Sequence, residues 1–357
     1  MKAAVCYEYG KPLVVEDVTL DPPKTGEVKV RLAATAVCHS DIHVIRGELG
    51  FPIPLVAGHE SSGYVEELGE GVTTVKKGDN VVISLLASCG RCVSCVSGNP
   101  HNCEFKWPLS TESRLHNSKG QPLVHMTRTA TFAEYAIVDQ SQLVSIPKDI
   151  PMDRAALLAC GVITGFGAVV NRAQVRPMQS VVVVGCGGVG LNAIQGAVIC
   201  GANPIIAMDV LDSKLEAAKK FGATHGVRAD AKDPLQAIKD ITGGRGADYI
   251  FVTVGNISAM QQAYPMTATR GMVVTVGLPP RGGMISLPGF MFGERMVTSS
   301  YMGTTKLSTD IPKLIDLYRS KRLKLDELIT AHYPLEKINE AIEAVERGEA
   351  LRNVIMF

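Results

Sequence analysis

The sequence has little of what would mark a nucleic-acid-binding, membrane or secreted protein. Lys and Arg number 36 and Asp and Glu 35, a net charge of +1 over 357 residues, so no excess of one sign is there to grip a phosphate backbone or an anionic bilayer. Neither nucleic acid nor a membrane is expected as a partner. No apolar run approaches the roughly 18–20 residues that cross a bilayer, and the opening MKAAVCYEYG meets Tyr7 and Glu8 before a signal core could form. The expectation is a soluble, cytoplasmic protein. Low-complexity segments and solenoid repeats are also missing, while 46% hydrophobic and 20% charged residues place the chain in the globular range. Its length suggests two domains.

Cysteine is what the chain does have. The nine fall at Cys6, Cys38, Cys89, Cys92, Cys95, Cys103, Cys160, Cys186 and Cys200. An odd count in a long chain without an export signal argues against a disulfide framework and for metal binding or catalysis.

The first 150 or so residues read as mostly β: 27–32 (EVKVRL) alternates, 64–68 follows a glycine, and 80–86 (NVVISLL) is a β-branched run. Residues 104–131 are long, polar and without period, which reads as a surface excursion. From 180 the rhythm becomes strand, helix, strand, helix, with SVVVV at 180–184, a helix over 188–200, PIIAM at 204–208 and a charged helix at 213–221. Ser213 with Glu216 reads as a capping box for that helix, and Gly222 as its stop. Further strands at 249–254 and 271–277 complete an α/β, doubly wound parallel sheet. Helical spacing returns at 310–320 and 335–347, and the chain closes on a strand-like NVIMF.

Cys89, Cys92, Cys95 and Cys103 put four thiols into fifteen residues, enough to wrap one tetrahedral Zn²⁺ with no position left for a substrate. The expected site is structural. Gly185-Cys186-Gly187-Gly188-Val189-Gly190 follows the VVVV strand and opens a helix, the context in which a glycine turn offers backbone N–H groups to a pyrophosphate. Asp209 ends the next strand, 19 residues beyond Gly190. A carboxylate there accepts hydrogen bonds from an adenosine ribose and repels a 2′-phosphate, which favours NAD over NADP. Cys38, His59 and Cys160 are a Cys/His/Cys set of the kind a catalytic zinc takes; as residues alone, His59 reads more readily as a hydrogen-bonded structural histidine and Cys160 as a small buried hydrophobe.

The pattern Gly58-His59-Glu60-x2-Gly63-x5-Gly69-x2-Val72 resembles that of the zinc-containing alcohol dehydrogenases of the medium-chain dehydrogenase/reductase superfamily. The likeness runs along the whole chain, through Cys38-His39-Ser40-Asp41 with His43, the four-cysteine lobe, Cys160-Gly161 with Thr164-Gly165, the GCGGVG turn with Asp209, and Arg352. It implies a mostly-β GroES-like catalytic domain over 1–158 and 301–357, carrying the zinc lobe at 86–104, and a Rossmann NAD-binding domain over 159–300. It also implies two zinc ions per chain. Cys38, His59 and Cys160 would hold the catalytic ion, with Asp41 orienting His59 and Glu60 behind the metal; the four clustered cysteines would hold the structural one. Ser40 would take the proton of the alcohol and pass it by way of the cofactor ribose to His43. His39 and Arg352 match neighbours of the pyrophosphate, Lys214 a neighbour of the adenosine ribose, and Thr164 and Val189 residues that pack on the nicotinamide. Leu49, Leu85, Phe132 and Leu278 match positions of the substrate pocket, and their apolar character implies an aliphatic or aromatic alcohol. The loop after Cys103 resembles that of dimeric members, which implies a homodimer. Two other readings stay open: a thiol-adduct (S-hydroxymethyl) formaldehyde dehydrogenase, and a non-catalytic scaffold stabilised by zinc.

Overall fold

The computed structural model describes residues 1–287 and 292–357. Two units emerge, one of Met1–Cys160, Lys306–Lys321 and Leu325–Phe357, the other of Gly161–Thr305 with Arg322–Lys324. The borders expected after 158 and 300 therefore lie at 160/161 and 305/306, which keeps Cys160 in the first unit.

The first unit is built around the strand Glu27–Ala36. It is buried along most of its length because it is paired on both sides, with Glu60–Leu68 and Tyr135–Asp139, and with Arg352–Met356 at its end. The seven-stranded sheet continues through Asn80–Ser84 to Leu143–Ile146 on one side and to Ile329–Pro334 on the other. Val28, Val30, Leu32, Val65, Val81 and Ile83 fill one face. The register matters for the chemistry. Ala36 pairs with Val354 while Thr35 pairs with Ser61, so Arg352 and Glu60 arrive from flanking strands at the sheet end that leads into Cys38.

The segment read as a surface excursion is a correction. Leu115–His116 and Pro122–His125 are strands of a second sheet that also holds Lys2–Cys6 and Leu55–Val56. Leu115, Leu123 and Met126 are core residues. Arg114 anchors the segment from within: it is buried, and its Nη2 and Nε donate to both carboxylate oxygens of Glu27 at 2.7 and 3.0 Å. Removing one partner of such a pair strands the other charge, at a cost of roughly 3–5 kcal/mol. Two strands of two and four residues give too short a pattern for periodicity to reveal.

The second unit is a six-stranded parallel sheet. Its strands run His225–Arg228, Ile205–Asp209, Val181–Val184, Ala247–Val252, Thr267–Thr275 and Met296–Ser299 across the sheet. Numbered along the chain, that is the order 3-2-1-4-5-6, reversing beside Val181–Val184, and ligands bind doubly wound sheets at the carboxyl ends of strands beside such a reversal. VVVV is wholly buried, as a strand covered on both faces must be. The charged helix is Asp212–Lys220 with Leu211 at its N-cap, so Ser213 lies inside the first turn and caps nothing. The capping-box reading is thereby corrected.

Helical turns of α and π type fill Met152–Ala173, a run long and apolar enough to cross a membrane by length and composition, with 89% of its apolar stretch buried inside the protein. The sequence reading, which found no such run, missed it.

Candidate active site

The four-cysteine lobe is local in construction. A short helix, Val93–Val96, sits between Cys92 and the return of the chain to Cys103, and the four sulfurs all lie within 4.8 Å of one another, each half-exposed. Backbone N–H groups already point at the sulfurs: Cys89 N donates to Cys103 Sγ at 3.3 Å and Cys92 N to Cys89 Sγ at 3.4 Å. The backbone N–H groups of Glu104 and Cys95 draw the Cys92 thiol down to about 6. Four soft donors in this arrangement fit a closed tetrahedral zinc.

The second cluster is assembled from distant parts of the first unit. Cys38 precedes the helix His39–Ile45, His59 precedes the strand Glu60–Leu68, and Cys160 lies in the helical run after Met152. All three are buried, with their ligand atoms within 4.8 Å of one another. One carboxylate organises the set. Asp41 accepts from Cys38 N and Gly58 N, both at 3.0 Å, and binds His59 Nδ1 at 2.9 Å. With Nδ1 so engaged, His59 turns its other nitrogen inward, and Nε2 is buried without a hydrogen-bond partner. An orphaned imidazole nitrogen beside two sulfurs is costly unless a metal satisfies it, and three such donors leave a zinc one position open. Hydrogen bonding to Cys160, aided by the charge of His59, holds Cys38 well below the ordinary thiol value, while the same bond and burial push Cys160 well above it.

Ser40, His43, Glu60 and Arg352 belong to the same unit as the trio. Ser40 Oγ is 3.7 Å from Cys38 Sγ. Glu60 and Arg352 are both buried, with Arg352 Nη1 3.7 Å from Glu60 Oε2. His43, one-third exposed, is bonded through Nδ1 to the carboxylate of Glu48, a partner the sequence reading did not single out. It also missed a buried triangle of hydroxyls beneath Glu60: Ser61 Oγ lies 2.7 Å from Thr35 Oγ1 and 2.5 Å from Thr131 Oγ1, and donates its one hydrogen to one of them.

In the second unit the glycine turn is shaped as the motif requires. A side chain at Gly190 would lie 1.9 Å from Gly185 O, so the helix Gly188–Ile199 packs at a distance only glycine allows. At Gly187 a Cβ would meet nothing within 4 Å, an open, exposed place for a phosphate to approach the helix N-terminus. Asp209 spends one lone pair of each oxygen on the fold, accepting from Cys186 N at 2.7 Å and Leu211 N at 3.0 Å. A carboxylate oxygen accepts two such bonds, so both retain capacity for ribose hydroxyls. These bonds also give Asp209 the cap-like work the sequence reading had given to Ser213. Lys214 is buried near it, and burial lowers its pKa against the pull of Asp209. Thr164 is buried, and Gly165 next to it packs against the backbone of Val189.

Of the expected pocket residues, Leu85 and the half-buried Leu49 belong to the first unit and the half-exposed Leu278 to the second. Phe132 is fully buried within the core of the first unit, its neighbours including Ala57 and the backbone of Gly58. Of the residues matched to the cofactor, His39 and Arg352 are in the first unit and the rest in the second.

Comparison with known proteins gives consistent relatives. The alcohol dehydrogenase GroES-like domain family matches residues 24–148, and the zinc-binding dehydrogenase family residues 188–320. An alcohol dehydrogenase class-3 of Dictyostelium discoideum is 37% identical over 99% of this chain and 97% of its own length. Among solved structures, an alcohol dehydrogenase zinc-binding domain protein from Burkholderia ambifaria has 33% identity and a TM-score of 0.95, covering 100% of this chain and 98% of that one. Benzyl alcohol dehydrogenase from Acinetobacter calcoaceticus has 32% identity and a TM-score of 0.93, covering 100% and 99%.

Proposed function

The chain belongs to the zinc-dependent alcohol dehydrogenases of the medium-chain dehydrogenase/reductase superfamily, and from that membership we propose that it transfers hydride reversibly between an apolar aliphatic or aromatic alcohol and NAD, giving an aldehyde or ketone. The observation that carries this reading is the buried Cys38, His59 and Cys160 set with the orphaned Nε2 of His59. Zinc, when bound there, polarises an alcohol oxygen and lets the alcohol give up its proton near neutral pH. NAD, when bound, supplies the hydride acceptor.

The chain's own residues do the rest. Asp41 fixes the orientation of His59 and the start of the helix that carries Ser40. Ser40 Oγ takes the proton lost by the alcohol, and His43, one-third exposed on the same helix, delivers it to solvent. Glu60 balances the buried charge of Arg352. The glycine turn holds the pyrophosphate, and Asp209 accepts from the ribose hydroxyls and disfavours a 2′-phosphate. Leu49 and Leu85 make the first unit's contribution to substrate binding apolar. The assembly is proposed as a cytoplasmic homodimer.

The test is NADH formation from NAD⁺ over primary, secondary, benzylic and thiol-adduct alcohols, run beside NADP⁺. Turnover of apolar alcohols with NAD⁺ is expected. Turnover confined to the thiol adduct would transfer the assignment to the formaldehyde dehydrogenase reading, and no turnover from protein holding one zinc per chain would favour the scaffold.

A further inference from the structure

The helix that carries Ser40 and His43 ends in a turn whose geometry has a chemical consequence. His39–Ile45 is capped at Arg46, and Gly47 follows with φ +79°. Gly47 N donates to Val44 O and Glu48 N to His43 O, both at 2.9 Å. This is the paired closing pattern in which a left-handed residue reverses the chain at a helix C-terminus. A side chain at Gly47 would also lie 2.9 Å from the ring of Tyr9, so the turn has one form. By tying the backbone of residue 48 to that of residue 43, it brings the Glu48 carboxylate onto the His43 ring, where it meets Nδ1.

The other charged groups around this helix are otherwise engaged. Asp41 serves Cys38, Gly58 and His59. Arg46 is paired at 2.7 Å with Glu346 of the neighbouring helix Ile338–Glu346. Among the described residues, the charged group bonded to the His43 ring is Glu48.

We propose that Glu48 is a positioning residue for proton release: it holds neutral His43 as the Nδ1–H tautomer, which makes Nε2 the atom that accepts the proton. A carboxylate only accepts, so the hydrogen in the Nδ1 contact belongs to the imidazole, and the lone pair then sits on Nε2. The proton lost by the alcohol arrives at Nε2, forms an imidazolium whose Nδ1–H still faces Glu48, and leaves from Nε2 to solvent; the electron pair of the broken C–H bond goes with the hydride to the nicotinamide. Glu48 touches no reacting atom. The inference rests on His43 being the exit of the proton, as proposed above.

Two readouts separate the two claims. Nitrogen NMR of the imidazoles in the zinc-loaded protein, with His43 assigned by its loss in His43→Ala, reads the tautomer without any turnover. It should show Nδ1–H in the wild type and in Glu48→Gln, whose amide oxygen still accepts, and a mixture in Glu48→Ala. In alcohol oxidation, Glu48→Ala should lower kcat roughly 10-fold with KM little changed, Glu48→Gln should retain most of the rate, and Glu48→Ala should add nothing in a His43→Ala background. The loss should shrink as pH rises and solvent hydroxide takes the proton directly. An unchanged tautomer in Glu48→Ala overturns the proposal whatever the kinetics. A His43→Ala enzyme with wild-type rate and pH profile overturns the relay itself, and with it any role of Glu48 in proton release.

Discussion

The first unit holds two cysteine-containing clusters that differ in ligands, burial and construction. Cys89 to Cys103 is a single short loop, half-exposed, with four sulfurs and backbone N–H groups as the surrounding donors. Cys38, His59 and Cys160 come from three separate segments, are buried, and are oriented by the side chain of Asp41. A loop that folds around its own metal needs nothing from the rest of the protein, and in return four ligands close the ion to chemistry. A site built from distant segments depends on the whole fold, and its three ligands leave a zinc one position open.

The contrast breaks most sharply by substitution. His59→Ala should reduce alcohol oxidation to background and release one zinc per chain while thermal unfolding shifts little, as read by turnover, metal content and calorimetry. Cys95→Ser should do the reverse, releasing the other zinc and lowering the melting temperature with turnover per folded molecule retained. Asp41→Asn keeps the ligands but loses the charge that orients them, and should cost about 10–100-fold in activity or in zinc affinity at the buried centre, with the lobe unaffected. The smallest effect concerns the lobe's continuation. Burial, aided by Arg114 and His116, pushes His125 down to about 3 from the ordinary histidine value of 6.5. It is neutral in the fold, where Nε2 accepts from Arg114 N at 3.1 Å, and takes up a proton once unfolded. Its share of stability is complete above pH 6.5 and is lost as pH falls towards about 3. Urea unfolding across that window should be less acid-sensitive in His125→Gln.

The same contrast explains what was legible in the sequence. The four cysteines and GCGGVG could be read from their residues because each carries its partners within one turn of chain. The trio could not, since no spacing relates residues 38, 59 and 160, and a resemblance was needed to join them. Misreadings came where a short element depends on tertiary partners. Leu115, Leu123 and Met126 are too sparse to mark a buried segment, yet Arg114 and Glu27 hold it inside the first unit. Ser213 looked like a cap because the sequence could not show that Asp209 bonds Leu211 N and lets the helix begin a residue earlier. Glu48 was hidden for a related reason: only the left-handed turn at Gly47 reveals that the end of the helix delivers a carboxylate to His43.

The central claim, two zinc centres with separate duties, is tested most directly by zinc content per chain in wild type, His59→Ala and Cys95→Ser, each measured beside turnover and melting temperature. The account predicts two, one and one, with activity lost in the first variant and stability in the second. One zinc in the wild type, or activity that survives His59→Ala, would contradict it.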